Sequence, residues 1–254
     1  AKLLLSKLPD DVDALQAYAG AQLANGDAAG AKTTLTNAAR RAAFDAPRLL
    51  AVARQQVAAQ DLKGAAYSVE KALSGSPTDP EAIGMMSSIE LAQGNLAQAE
   101  QRAKQVVEAS PRSPLGYNLL AEVAMRRGQG AVALDALRKA NDIDKSSLSL
   151  VRLMRAQAQQ GSYKAALDAA ENWLKKNPAD ATVRSTSAEL LVRAKDFDAA
   201  RRQYETLVKR NPNDAGVLNN LANVLIELKD PAAVDVAERA LKFEPRNPVY
   251  LDTA

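Results

Sequence analysis

Small apolar side chains recur along this chain in fixed columns, separated by short polar stretches. Ala31, Ala65, Ala99, Ala133, Ala166, Ala200 and Ala233 follow one another at intervals of 33 or 34 residues. A second column lies eleven or twelve positions earlier: Ala19, Ala53, Ser87, Ala121, Met154, Ala188 and Ala222. A third lies seven positions later: Ala38, Ala72, Val106, Ala140, Trp173, Leu207 and Ala240. Polar pairs sit between the second column and the first: Gly26-Asp27, Gln60-Asp61, Gly94-Asn95, Gly128-Gln129, Gly161-Ser162, Lys195-Asp196 and Lys229-Asp230. Twelve residues beyond the first column come Ala43, Pro77, Pro111, Lys145, Pro178, Pro212 and Pro245. One alanine series could be chance in a chain with 52 alanines, but several columns in one register make an internal repeat.

Each column has a physical cause, and together they predict a helix–turn–helix unit. Two helices approach closely only where both present small side chains, so ridges can enter grooves. A Gly after the first helix takes the left-handed conformation that ends it. The Asp, Asn or Ser beside it accepts orphan N–H bonds of the second helix. Pro then closes the second helix, since it cannot continue the ladder. An Asp shortly after Pro, as in Pro9-Asp10-Asp11 and Pro77-Thr78-Asp79, caps the helix that follows. The expected organisation is half a hairpin over residues 1–11, then seven repeats at 12–45, 46–79, 80–113, 114–146, 147–180, 181–214 and 215–247. Residues 248–254 begin another first helix with Val249-Tyr250-Leu251. Both ends interrupt a repeat, so the expectation is a fragment of a longer array whose uncapped ends favour head-to-tail self-association.

Composition narrows the chemistry. Apolar residues make up 47% and charged residues 25%, which fits a folded helical chain. With aromatics at 4%, the interior must be built from small residues in close contact. There is no Cys and no His, which removes disulfides, thiolate nucleophiles, the commonest general base and nearly all transition-metal sites. No cofactor or metal is expected. The net charge of +3 is intermixed in sign. Basic pairs such as Arg40-Arg41 and Lys209-Arg210 fall at helix C-termini, where the dipole favours them. A nucleic-acid surface would need a denser basic stripe with stacking aromatics. No apolar run approaches the roughly 20 residues that span a bilayer. Ser68-Val69-Glu70-Lys71 matches the short Ser-x-x-Lys pattern of penicillin-recognising enzymes without its partner motifs. Gly128-Gln129-Gly130 has no preceding strand and reads as a hairpin turn. Catalysis is therefore not expected.

The period, the paired helices and the terminal Pro resemble the tetratricopeptide repeat (TPR), over essentially the whole chain. That resemblance implies an all-α, right-handed superhelical solenoid of TPR hairpins. The family's large aromatics are mostly replaced, with Tyr117, Tyr163, Phe197 and Tyr204 surviving. It further implies that the first helix of each hairpin lines a concave groove through positions 2, 5, 9, 12 and 13 of the repeat, which bind a protein or peptide ligand. Counted onto this chain, these include Glu81, Gly84, Ser88 and Leu115. The residues expected to carry binding are Leu50, Arg54, Val57, Asn118, Glu122, Met125, Val151, Arg155, Glu189, Asn219 and Asn223. Apolar members would anchor a segment, and amide and charged members would fix its register.

A narrower likeness lies in Leu228-Lys229-Asp230-Pro231 and in Asn247-Pro248-Val249-Tyr250-Leu251-Asp252-Thr253. These resemble the TPR lipoproteins that accompany exosortase (PEP-CTERM) sorting systems and exopolysaccharide gene clusters of Gram-negative bacteria. The implied role is a periplasmic or outer-membrane scaffold in polysaccharide export or protein sorting, with signal and lipid anchor outside this sequence. Two alternatives stay open. One is a cytosolic co-chaperone or assembly factor, although no three consecutive repeats carry the Lys, Asn and Arg set with which such repeats clasp a C-terminal carboxylate. The other is a regulatory region attached to an enzyme such as a glycosyltransferase.

Overall fold

The structure, a computed structural model, describes residues 2–244 together with Asn247, Pro248 and Thr253. The further first helix expected at Val249-Tyr250-Leu251, and Pro245 of the proline column, lie outside the described residues. Among those described there are fifteen helices and no strand. The chain divides into two compact units, 1–143 and 144–254. The first holds α1 (Lys2–Lys7) and four hairpins: α2 (Val12–Ala24) with α3 (Ala28–Arg41), α4 (Ala46–Ala58) with α5 (Leu62–Gly75), α6 (Pro80–Ala92) with α7 (Leu96–Ala109), and α8 (Pro114–Arg126) with α9 (Gly130–Asp144). The second holds three: α10 (Ser147–Gln159) with α11 (Tyr163–Lys176), α12 (Ala181–Arg193) with α13 (Phe197–Arg210), and α14 (Ala215–Glu227) with α15 (Ala233–Phe243). In most hairpins the second helix packs on its own partner and on the next first helix, as α7 does on α6 and α8, and α13 on α12 and α14. First helices also touch one another, α6 with α8 and α10 with α12.

The columns read from the sequence are the seams of this packing. Ala19 and Ala31, Ala53 and Ala65, Ala188 and Ala200 are all fully buried. Where the earlier column carries Ser87, its hydroxyl donates to the Ala99 carbonyl at 2.8 Å, across the hairpin from column to column. A methyl group or a hydroxyl fits there because small side chains let two helices pack closely. Met154 stands in the same column opposite Ala166 and is also fully buried, so one long flexible side chain is accommodated against a small one.

The turns follow from backbone sterics. Each of the seven has a residue at positive φ after the first helix, and in four it is glycine, as at Gly94 (φ 83) and Gly161 (φ 76). Gln60, Lys195 and Lys229 take the same conformation at φ 57, 61 and 55, at a local cost of about 1–2 kcal/mol. At the other end of the repeat, the two column members that are not proline, Ala43 and Lys145, both adopt φ 48, a value closed to proline. Asp27, Asp61 and Asp196 cap their second helices by accepting from Gly30, Gly64 and Ala199 N–H groups at 2.8, 3.0 and 3.1 Å. Asp11 and Asp79 cap first helices in the same way. Asn95 and Ser162, expected to cap α7 and α11, make no side-chain capping bond. Asn95 donates instead to Gln93.

In the second unit one carboxylate joins three helices. Asp180 accepts from the Val183 N–H at 3.1 Å as the cap of α12 and from the Trp173 indole N–H of α11 at 2.7 Å. It also accepts from the Ser147 hydroxyl at the start of α10. Burial pushes its pKa up from 3.8, but the hydrogen bonds from Ser147, Val183 and Trp173 outweigh this and hold it below.

Two outcomes follow for stability. Ala99→Leu is expected to lower the urea-unfolding free energy by about 1–3 kcal/mol through overpacking. Ala97→Leu, two residues away and exposed, should change it by no more than about 0.5 kcal/mol. Equal effects would place the seam elsewhere. A carboxylate with a depressed folded pKa contributes stability that is present at neutral pH and lost as pH falls through that pKa. The melting temperature of wild type, followed by circular dichroism from about pH 5 to about pH 3, should therefore fall more than that of Asp180→Asn, which keeps an acceptor but no charge. Parallel profiles would remove Asp180 as a source of the acid sensitivity.

Candidate functional site

In the first unit the first-helix face opens into a cavity of about 370 Å³, within the range of ligand pockets. α4 contributes Arg54 and Val57, α6 contributes Glu81, Gly84, Met85, Ser88, Ile89 and Ala92, and α8 contributes Leu115, with Leu62 of α5 behind. The floor is a row of small residues one helical turn apart on α6: Gly84, Ser88 and Ala92. A Cβ on Gly84 would sit 3.1 Å from Leu115 Cδ2, so glycine there lets Leu115 lie across α6. Val57, Leu115 and Met125 remain 41%, 37% and 41% exposed, large apolar side chains left facing solvent. The polar groups are largely satisfied internally. Arg54 pairs with Glu81 across α4 and α6, and the Ser88 hydroxyl donates to the Gly84 carbonyl at 3.1 Å.

The second unit carries a larger and more polar cavity, about 840 Å³. Glu189, Val192 and Arg193 of α12 form one wall, and Asn220, Asn223, Val224, Ile226 and Glu227 of α14 another. Phe197 and Tyr204 of α13 close the back. Arg155 of α10 reaches Glu189 at 3.6 Å. Burial, then the negative charge of Glu189, pushes the Tyr204 phenol up to about 12, so it stays a donor at every ordinary pH.

The eleven residues expected to carry binding fall into three sets. Arg54, Val57, Glu122, Met125, Arg155 and Asn223 are exposed, and Asn118 and Glu189 half-buried. Leu50 and Val151 are corrected to core positions: at 3% and 4% exposure they pack within the apolar clusters of their units and present no surface. Asn219 is likewise buried, at 4%, with its amide oxygen unpaired among the described residues. All three stand at position 5 of the repeat, where burial varies from hairpin to hairpin: Asn118 at the same position is half-buried. Arg54 and Arg155 also differ from the expectation, since each is already tied to an acid on the next first helix. Sequence reasoning missed Met85, Ile89, Asn220 and the second-helix residues Leu62, Phe197 and Tyr204, because it confined the lining to five first-helix positions. The Ser-x-x-Lys pair is structural: Ser68 is fully buried and donates to Gln56 at 2.7 Å, while Lys71 donates to the Ala39 carbonyl at 2.9 Å.

No helix among the described residues is long and apolar enough to cross a membrane. No curated protein matches the sequence. Solved structures that the chain is similar to include PilW, a widely conserved type IV pilus biogenesis factor (TM-score 0.63, 17% identity, 82% of this chain and 97% of that one). They also include a tetratricopeptide repeat protein from Parabacteroides merdae (0.60, 14%, 95% and 96%). A third is YrrB, described as a TPR protein with an unusual peptide-binding site (0.52, 16%, 74% and 97%). At these identities the likeness is one of fold. The tetratricopeptide repeat pattern itself matches residues 56–123 and 157–222, more than half of the chain. On that match, with the buried columns recurring in both units, the chain belongs to the tetratricopeptide-repeat family.

Proposed function

We propose that this protein is a non-catalytic interaction scaffold that holds a protein or peptide segment against the first helices of its hairpins. The observation that carries the reading is the apolar trough of the first unit. Val57 and Leu115 stand exposed beside a floor of small residues, where isolated folding would favour polar side chains. Apolar anchors around a concave floor are the usual core of a protein-binding site. The peptide-binding site of the structural neighbour YrrB is consistent with this use of the fold.

The finer setting is the bacterial envelope, in PEP-CTERM protein sorting or exopolysaccharide export, as a periplasmic or lipid-anchored outer-membrane protein. It rests on the Leu228-Lys229-Asp230-Pro231 and Asn247-to-Thr253 resemblances alone. Of these, Asp230 has a structural task in the fold: it accepts from the Ala232 N–H at 2.9 Å and from Arg201 at 3.1 Å.

The test uses the whole chain as bait in a cross-linking capture from envelope and cytosolic fractions of the source bacterium, beside a Val57→Asp/Leu115→Asp variant. The exposed positions predict melting within a few degrees of wild type and at least tenfold weaker capture of a specific envelope protein. Capture that survives the double substitution would remove the trough as the site. Partners confined to the cytosolic fraction would sink the envelope setting while leaving the scaffold reading in place.

A further inference from the structure

The first unit holds a second, smaller cavity of about 230 Å³, walled by α7, α8 and α9. Its α8 residues Tyr117, Leu120 and Ala124 stand roughly half a turn around the helix from Leu115, on the side turned away from the trough. The repeat register explains why a hollow forms there. In each of the three earlier hairpins, a polar pair 12 residues apart bridges first helix to second at this level. Gln22 accepts from Thr34 at 2.8 Å, Gln56 accepts from Ser68 at 2.7 Å, and Glu90 pairs with Arg102 at 3.6 Å. The fourth hairpin carries Ala124 and Ala136 at the matching positions, and both line the cavity. The later hairpins carry Gln157, Leu191 and Leu225 at the first of the two positions, so only the fourth has alanine at both. Two small side chains stand where a bridging pair fills the space elsewhere. We propose that this hollow receives one aromatic side chain of a partner protein, flanked in that partner by acidic residues, so that the chain docks a protein behind its first-helix face.

Size, lining and charge select that occupant. The volume falls below the range of about 300–1,000 Å³ usual for small-molecule pockets, and suits one large side chain. The interior is apolar, with Leu120, Val123 and the two alanines beside the half-buried ring of Tyr117. Aromatic rings pair favourably edge to face, so a second ring beside Tyr117 gains more than an aliphatic chain. Val132 stands exposed at the mouth, ready to be covered. Around it Lys104, Arg127 and Lys139 face Glu100 and Asp135. Glu100 accepts from Lys104 at 2.6 Å and from Arg127, and these bonds hold its carboxyl below the usual range. Asp135 pairs with Lys139 at 3.1 Å. Three bases against two acids leave one positive charge, which attracts an acidic neighbour of the anchor and repels a basic one. The exposed lysines add cation–π attraction to an aromatic ring. An aromatic anchor in a desolvated pocket, ringed by polar contacts, is the usual form of an interface hot spot.

This site stands apart from the trough, and the experiment keeps the two distinct. Twelve-residue peptides with a fixed central tryptophan and random flanks are selected by phage display on the full chain. They are then measured by fluorescence anisotropy on wild type, Ala124→Gln/Ala136→Ser, Lys139→Glu and Val57→Asp/Leu115→Asp. The first variant rebuilds the bridge of the second hairpin inside the hollow, and should weaken binding by about tenfold or more. Lys139→Glu changes an exposed side chain without repacking, so its melting should match wild type while affinity falls roughly 3- to 10-fold. Selected peptides should carry Asp or Glu beside the tryptophan, and Val57→Asp/Leu115→Asp should bind them as wild type does. Peptides indifferent to Lys139→Glu and to the rebuilt bridge, or to replacement of their tryptophan by alanine, would overturn the site. Loss confined to Val57→Asp/Leu115→Asp would overturn it as well, and leave the trough as the docking surface. N-acetyltryptophanamide competing as tightly as the peptides would overturn the protein partner and assign the hollow to a small aromatic molecule. A library that yields no binder would overturn the docking site without touching the trough, which the capture experiment decides separately.

Discussion

Close approach of helices at small side chains is the constraint from which the rest of this structure follows. An alanine contributes little apolar area, so no single hairpin can bury enough to stand alone, and stability has to accumulate from seam to seam. The seams tolerate a change of residue only on one side at a time. Met154 is admitted because Ala166 faces it, and Ser87 because the Ala99 carbonyl takes its proton. Larger apolar side chains such as Leu35, Leu49, Ile89 and Leu218 fill the spaces between the seams and are fully buried. Others remain exposed on first helices of both units, at Val57, Leu115, Met125, Leu148 and Ile226.

The same constraint explains what was legible in the sequence. A seam repeats with the hairpin, so its residues appear as columns, and Ala19, Ala53, Ala121, Ala188 and Ala222 can be read as buried without any structure. The turns were legible for a different reason: positive φ restricts residue choice, which shows as glycine at four of seven turns. Where Gln60, Lys195 and Lys229 take that φ, only the register of their neighbours reveals it. Capping was legible in kind and not in each instance, since Asn95 turns to Gln93 instead of the helix end.

The candidate sites were less legible because burial between first helices depends on neighbours that periodicity does not specify. Leu50 and Met125 both stand at groove positions on first helices, yet one is enclosed and the other open. Arg54 and Arg155 illustrate a second limit. Charge at a groove position looks like a hook for a partner, but each guanidinium meets a carboxylate 27 or 34 residues on. Exposed pairs of this kind are worth at most about 1 kcal/mol. They tie successive first helices together and remain exchangeable, so a ligand bearing charge can replace one member without a large loss.

The trough and the second-unit cavity then differ in what they ask of a ligand. In the trough the helix backbone is self-satisfied, the serine hydroxyl is turned inward and the charges are paired. A ligand gains there mainly by covering apolar surface, and whatever polar groups it brings must already be satisfied. In the second-unit cavity the amides of Asn220 and Asn223 line a wall, and an occupant that lacks complementary groups would seal them off from water unpaired, at about 1–3 kcal/mol each. The repeat therefore supplies one geometry, while selectivity resides in which polar groups the hairpins place along it.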